Sequence, residues 1–394
     1  MRAKGALRFG FAPAVLLGLP VAMSTWATEY SLNYNVISKY EFNDNIRLSN
    51  ADEINISGGT LSLPATLTMR TERLNTSLLG ELASAKYNES GYDSSYQNLQ
   101  ANATYGFESG ELSGYSGYKR DSTMSSEFLD TGIVGLTALR QDSASAGVSG
   151  FHMFNEQNGL SAGASYSDID YTSTRLQNYE YTTAYAGWLH HWSERTQLRL
   201  QAYGNRYESG NIIEVESDSL GVQAGFDSQF SERFSVSLLA GLINVDTDYS
   251  TDLVLATPED ENTDTYLIKG SLNYRLERHE FSTNVNSSTS PSGDGYLLKN
   301  DQMDVNYRHR VSERSRFDLD LLAGRNGSLA SRINNDRDYA RLKLSLNYRF
   351  SSTWYIAGSY ARSYQDSERA DSKAESNAVY ASLVYQPDKY VWSR

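Results

Sequence analysis

The chain of 394 residues has no cysteine and only six prolines. Disulfides cannot staple it, so stability must come from backbone pairing and burial. Scarce proline leaves long stretches free to donate every backbone N–H to a ladder. Beyond residue 27 no apolar run approaches 18 residues, which excludes a helical membrane protein. Positive charge is also in short supply, with 35 Lys and Arg against 48 Asp and Glu and a net charge of −13. Such a chain repels phosphate backbones, so nucleic acid is excluded as a partner. No CxxC, HExxH or P-loop pattern occurs. His190 and His191 are adjacent, so on a strand they point to opposite faces and cannot share a metal. A serine beside a histidine is available, for example Ser193 and His191, but that pair lies at a tight turn with no supporting motif, so no enzyme and no cofactor are expected.

What the chain does have is a repeated hairpin. Trp192-Ser-Glu-Arg-Thr196, Phe230-Ser-Glu-Arg-Phe234 and Val311-Ser-Glu-Arg-Ser315 are the same charged turn, with Leu276-Glu-Arg-His-Glu280 and Phe350-Ser-Ser-Thr-Trp354 in equivalent places. They recur at spacings of 35 to 46 residues, room for two long strands with one tight and one loose connection. Between them, residues alternate. In one segment Leu342, Leu344, Leu346, Tyr348 and Phe350 oppose Lys343, Ser345, Asn347 and Arg349. In another, Ile268, Leu272, Tyr274 and Leu276 oppose Lys269, Ser271, Asn273 and Arg275. Side chains alternate faces along a strand, so each segment has one apolar and one polar face. The segments run about 11 to 15 residues, longer than the ~5–6 usual in soluble sheets and enough for the ~9–11 that cross a bilayer. A mean hydropathy of −0.53 is compatible with this, because only every second strand residue of a barrel meets lipid.

The reading is an all-β, antiparallel up-and-down transmembrane barrel of about eighteen strands, with eight tight turns, nine longer loops and both ends on the tight-turn side. An export signal precedes it. Arg2, Lys4 and Arg8 form a positive start, Phe11 to Ala22 a short apolar run, and Thr25-Trp-Ala27 a cleavage site, dividing the chain into a signal peptide 1–27 and a barrel domain 28–394. The signal holds three basic residues and no acidic ones, so its removal takes the net charge from −13 to −16. The expected location is the bacterial outer membrane. The acidic residues cluster at loops, notably Glu214, Glu216 and Asp218, and Asp248, Asp252, Glu259, Asp260, Glu261 and Asp264. The candidate lumen lining is Arg199, Lys269, Arg275, Arg308, Lys343 and Arg349 with Asp304, Asp318 and Asp320. The stretch 121–143 is the one loop read as long enough to fold into the lumen.

The opening Tyr30-Ser-Leu-Asn-Tyr-Asn-Val-Ile-Ser-Lys-Tyr-Glu-Phe-Asn-Asp-Asn-Ile-Arg-Leu48, with its Asp44-Asn45 pair, resembles outer-membrane barrels of the porin 2 type, including those of exopolysaccharide and PEP-CTERM loci. The Ser-Glu-Arg turns and Ser165-Tyr-Ser-Asp-Ile-Asp-Tyr171 extend the likeness. One departure is the end, where the chain runs past Tyr385 as Gln-Pro-Asp-Lys-Tyr-Val-Trp-Ser-Arg394. The resemblance implies a porin-like channel or export pore, with exopolysaccharide or its export complex as partner alongside outer-membrane lipids, lipopolysaccharide and the barrel-assembly machinery. Other readings are a non-transporting structural or adhesive surface barrel, and a lipid- or polymer-modifying enzyme.

The turn chemistry sets the orientation. Short turns of such barrels face the periplasm. On intact cells an impermeant thiol reagent should label Glu259→Cys and spare Glu232→Cys, and the opposite pattern would invert the barrel.

Overall fold

The computed structural model describes residues 28–123, 139–172, 176–210, 214–250, 260–329, 336–368 and 372–393. The segment read as an export signal and residues 124–138 lie outside the described residues. Among the described residues, twenty strand segments form one antiparallel sheet. They are β1 (Glu29–Tyr34), β2 (Val36–Asn43), β3 (Ile56–Arg70), β4 (Leu74–Tyr87), β5 (Ser94–Phe107), β6 (Gly110–Ser122) and β7 (Arg140–Met153). Next come β8 (Asn158–Tyr171), β9 (Tyr179–Ser193), β10 (Thr196–Gly210), β11 (Glu214–Ser231), β12 (Phe234–Ser250) and β13 (Glu261–Arg275). The last are β14 (His279–Pro291), β15 (Leu297–Arg310), β16 (Ser315–Ser328), β17 (Arg337–Arg349), β18 (Trp354–Ser367), β19 (Ser372–Tyr385) and β20 (Tyr390–Ser393). Successive strands pair as hairpins, and the ring closes where β2 pairs β19 and β1 pairs β20. Counting the interrupted first and last strands as one each, the barrel has eighteen wall strands.

Both interruptions have a proline behind them. Asn35, between β1 and β2, lies opposite Pro64 of β3, which has no N–H to offer, and the Asn35 amide donates to the Pro64 carbonyl at 2.9 Å. Between β19 and β20 the chain carries Pro387, and the ladder resumes at Leu32↔Tyr390 after stopping at Val36↔Tyr385. The residues past Tyr385 are thus part of the wall, and Trp392 stacks on Tyr30 at 5.4 Å. At the other end of the closure, the Asp44-Asn45 pair stitches the first strand to the last. The Asn377 amide donates to Asp44 Oδ1 at 2.7 Å, its side chain to Asp44 Oδ2 at 2.8 Å, and Asn45 Nδ2 donates to the Glu375 carbonyl at 2.9 Å.

The two faces sort as the alternation requires. Leu63, Leu82, Leu160, Leu200, Val222, Leu242 and Leu346 are large apolar side chains left exposed on the outer face. A continuous apolar band of this kind belongs against lipid. Near the tight turns it ends in aromatic side chains, Trp192, Phe230, Phe350 and Trp354. At the opposite end the strands run on past the apolar band. There the outer face of β8–β12 carries a row of carboxylates directly opposite one another: Asp168↔Glu180, Glu180↔Glu208, Glu208↔Glu216 and Glu216↔Asp248. Arg206 in the tier below pairs with Glu208, Glu216 and Asp218. Much of the acid expected in loops therefore stands on protruding strand ends. Opposed carboxylates repel and are costly in hydrocarbon, so this row marks the aqueous side of the outer boundary. A closed even-stranded barrel with an apolar belt, short turns below and long connections above is an outer-membrane β-barrel.

The facing assignment is testable in one strand. Leu344 lies on the outer face near mid-wall, while the Ser345 hydroxyl accepts from Ser359 inside the barrel at 2.9 Å. A lipid-facing arginine at mid-depth costs ~2–4 kcal/mol, whereas a lumen position stays hydrated. Leu344→Arg should abolish or strongly weaken the heat-modifiable folded band, and Ser345→Arg should retain it.

Candidate functional site

The lumen is the candidate site, and its two halves differ. On β5–β10 the inward residues are mostly uncharged: Asn98, Gln100 and Asn102 on β5, Ser143, Ser145 and Ser149 on β7, and Tyr181, Thr183 and Tyr185 on β9. Two tyrosine rings lie flat on this wall because glycine sits opposite. A Cβ on Gly147 would come within 2.5 Å of the Tyr115 ring, and one on Gly163 within 2.6 Å of the Tyr185 ring. The remaining wall carries charge. Lys39 bonds Glu41 at 3.1 Å, and the Tyr87 hydroxyl donates to Glu41 at 3.3 Å. Tyr380 lies between two cations, with Lys39 Nζ 5.1 Å and Lys343 Nζ 5.9 Å from its ring centre.

The structure places all nine candidate lumen residues on inward-facing positions, but it brings only some of them together. Arg199 pairs with Asp227 at 2.7 Å, and Arg275 with Glu280 at 3.6 Å. Arg308 bridges Glu280 at 3.0 Å and Asp318 at 3.2 Å, and Asp318 also holds Arg316 at 2.9 Å. Asp304 accepts from Gln302 at 3.5 Å, and Asp320 lies opposite Lys343 in the ladder. Among the described residues, Lys269, Lys343 and Arg349 have no carboxylate within 4.0 Å. Lys39, Glu41 and Arg341 join this face without having been singled out. The alternation already put Lys39 and Glu41 opposite Tyr40 and Phe42, and carried back along β17 it puts Arg341 on the same face as Lys343.

Among the described residues the lumen is narrowed by an element that the sequence did not single out, while residues 124–138 of the stretch expected to fold inward lie outside the described residues. The stretch 121–143 is described only at its ends, with Thr123 buried and its amide donating to the Leu139 carbonyl at 2.8 Å. What folds inward is the outer end of the β14–β15 hairpin. The β13–β14 ladder stops at Ile268↔Ser287, while β14–β15 pairing continues to Pro291↔Leu297. The hairpin therefore leaves the wall and crosses to the far strands. There the Tyr207 hydroxyl donates to the Ser292 carbonyl at 3.1 Å, the Gln177 amide to the Gly293 carbonyl at 2.7 Å, and Asn205 Nδ2 to Thr289 Oγ1 at 3.4 Å. Its turn uses Gly295 at φ +88, a conformation that favours glycine.

Apolar burial explains why this arrangement wins. Leaving the wall gives up a few ladder bonds, each worth ~0.5–1.5 kcal/mol net. In return Leu297 packs with Ile169, Tyr171, Tyr179, Tyr207, Val215 and Val245 in a buried cluster inside the barrel. Full burial of each large apolar side chain contributes ~1.5–3 kcal/mol. Between hairpin and wall remains a cavity of about 250 Å³, walled by Lys119, Asp121, Ser145, Ser167, Tyr181 and Pro291.

Among the described residues, neither of the two serine arrangements is set up as a nucleophile. Gly159-Leu-Ser-Ala-Gly163 spells GxSxG, but it lies within strand β8 rather than on the strand-to-helix elbow that exposes a nucleophile. Ser193 Oγ accepts from the Arg195 amide at 3.3 Å and serves its own turn.

No protein-family model and no curated protein matches the chain. Among solved structures it is similar to OccAB3 of Acinetobacter baumannii, with 10% identity, a TM-score of 0.44, and coverage of 92% of this chain and 99% of that one. It is likewise similar to the outer membrane protein OpdK of Pseudomonas aeruginosa, with 11% identity, a TM-score of 0.46, and coverage of 93% and 99%. For the copper transporter OprC the values are 10% identity, a TM-score of 0.49, and coverage of 92% and 66%. What makes this chain a membrane barrel is its own closed ladder and apolar belt.

The inward hairpin rests on Tyr207, whose exposure is 0%. Tyr207→Ala removes both the ring and the hydroxyl that hold Ser292. In planar bilayers this variant should conduct more than the parent while keeping a heat-modifiable barrel, and equal conductance would mean the hairpin does not limit the lumen.

Proposed function

We propose that this barrel is a porin-like channel for hydrophilic solutes, with a preference for anions that carry hydroxyl-rich, sugar-like surfaces. The observation that carries this reading is the division of the lumen into a wall holding cations with no carboxylate within 4.0 Å among the described residues and a wall of mostly tyrosine, serine and amide side chains, whose charges Lys119, Asp121 and Arg199 are ion-paired. A solute crossing there meets hydrogen-bonding groups and flat ring faces on one side and a positive field on the other. Ion-paired residues such as Arg199 and Arg308 contribute little net field, so Lys269, Lys343 and Arg349 set the preference. The resemblance to porin 2 barrels of exopolysaccharide loci makes an acidic polysaccharide the finer form of the proposal. Uptake of a smaller acidic saccharide has the same chemistry.

A second reading is a closed surface barrel with a structural or adhesive role. It is favoured by one observation, the hairpin and its buried cluster occupying the lumen.

Conductance separates the two. The reconstituted barrel should pass current with a reversal potential on the anion side in a salt gradient. The acidic strand ends above the lumen oppose anion entry, and calcium screens them, so added calcium should strengthen the anion preference. Replacing Lys343 and Arg349 together with glutamine should move the reversal potential toward cations. Absence of current at every voltage and calcium level, with Tyr207→Ala equally silent, would support the closed barrel.

A further inference from the structure

The split between β13 and β14 has a defined geometry. In the intact part of this ladder the even-numbered residues of β13 carry the bonded rungs, since the Leu276 amide donates to the His279 carbonyl at 2.7 Å and the register runs on to Ile268↔Ser287. The next bonded rung would be Tyr266↔Thr289. That rung is not made. Thr289 has gone inward to Asn205, and the Tyr266 carbonyl instead accepts from Lys299 Nζ. The ammonium is held there on every side. It also donates to Ser287 Oγ at 2.6 Å, lies 3.6 Å from Asp301 and sits 3.9 Å from the centre of the Tyr266 ring. The Tyr266 hydroxyl donates to Asp301 Oδ2 at 2.9 Å, and the Ser287 hydroxyl to Asp301 Oδ1 at 2.5 Å. Lys299 thus stands in for the missing backbone donor at the lip of the split.

We infer that the β14–β15 hairpin is a gate with two seats. In the inward seat, the one described above, Ser288–Gly295 lies on Asn205, Tyr207 and Gln177, and Lys299 satisfies the vacated rung. In the second seat the hairpin zips back onto the free edge of β13. Leu267, Tyr266 and Thr265 then face Ser288, Thr289 and Ser290, Thr289 N–H replaces the Lys299 ammonium on the Tyr266 carbonyl, and the lumen widens. The segment suits both seats. Ser288, Thr289 and Ser290 are short and polar, tolerated in a strand and in a buried polar interior alike. Pro291, lacking an N–H, ends the zipping. The split opens at Tyr266, level with the outer edge of the apolar band, so neither seat leaves unpaired backbone in hydrocarbon. The wall around β13 is complete on its other side, where pairing to β12 runs up to Thr247↔Glu261, so the free edge is held ready and extended.

The chain has no native cysteine, so engineered pairs report cleanly. Thr265 and Ser290 would be a non-bonded pair in the zipped seat, with Cα atoms ~4.5 Å apart, within the range a disulfide spans. Thr265→Cys/Ser290→Cys should form a disulfide in membranes under mild oxidant, and conductance should step up on oxidation and back on reduction. Ser271→Cys/Asn284→Cys, already opposite in the ladder, is the positive control for oxidation. Asn205→Cys/Thr289→Cys, bridged by a short bifunctional thiosulfonate, should lock the low-conductance level. Lys299→Met should speed formation of the 265–290 disulfide, because Thr289 no longer competes with an ammonium for the Tyr266 carbonyl. If the control pair oxidises and 265–290 does not, the second seat does not exist. If 265–290 forms without changing conductance, the hairpin moves but gates nothing, and the inference fails as a gate. The gate presupposes the channel reading. A barrel silent in every form would sink that reading, while the disulfide by itself still decides whether the hairpin moves.

Discussion

Everything in this structure depends on the absence of water inside a bilayer. An unpaired backbone N–H or C=O in hydrocarbon costs several kcal/mol, so a sheet that crosses must close on itself. The closure here is made under difficulty, because Pro64 and Pro387 each remove a donor close to where the first and last strands meet. The chain accommodates them by breaking both strands and resuming the ladder through β1 and β20, with Tyr30 and Trp392 stacked across the join. At the other end of the same join, side chains take over where backbone pairing ends, Asp44 holding Asn377 and Asn45 holding the Glu375 carbonyl. The Asp-Asn pair noticed in the sequence is therefore a structural seam and carries no information about cargo.

The same constraint explains where irregularity is allowed. Above the apolar band water returns, and the molecule there does what it does nowhere in mid-wall. Carboxylates face carboxylates across four consecutive strand pairings from β8 to β12. A ladder splits, and a hairpin turns into the lumen. The outer third of the wall is thus released from pairing that the membrane imposes below it, and it is the part in which sequence and burial can compete with the ladder.

That division also governs what could be read from the residues alone. A period of two is enforced wherever one face meets lipid, so the strands, their facing and even their number were legible from segments such as Leu342 to Phe350. The hairpin was not. Pro291-Ser-Gly-Asp-Gly-Tyr296 has the composition of any exposed turn, and nothing within it says whether it points in or out. The decision is made by Tyr207, Val215 and Val245, far away in the chain. A signal was there: these three are apolar residues on the inner face close to the outer strand ends, each next along that face to Ser209, Ser217 or Thr247. Apolar side chains at the mouth of a wet lumen require a cover, and 288–296 is the cover. The candidate charges were legible as to face but not as to partner. Arg199 and Lys343 look alike in an alternating strand, and only the placement of side chains shows that Arg199, opposite Gly225, reaches diagonally to Asp227, whereas Lys343, opposite Asp320, has no carboxylate within 4.0 Å among the described residues.

Partnering is what separates wall from site in this lumen. An arginine bound to a carboxylate at 2.7 Å, as Arg199 is to Asp227, presents a dipole whose field fades within a few ångströms. A lysine beside a tyrosine ring keeps its full charge, because the ring attracts it without neutralising it. Tyr380 holds Lys39 and Lys343 on that footing, and Glu41 answers only the first of them. Across the lumen, Tyr115 and Tyr185 lie flat on glycines and have no charge to answer. A polar solute between these walls is drawn by one and merely supported by the other, so it is oriented as well as admitted. The asymmetry is built from strand order, since β5–β10 and β15–β19 fall on opposing arcs of the ring. It is therefore a property of the barrel as closed, and a hairpin entering from between those arcs is placed to narrow both at once.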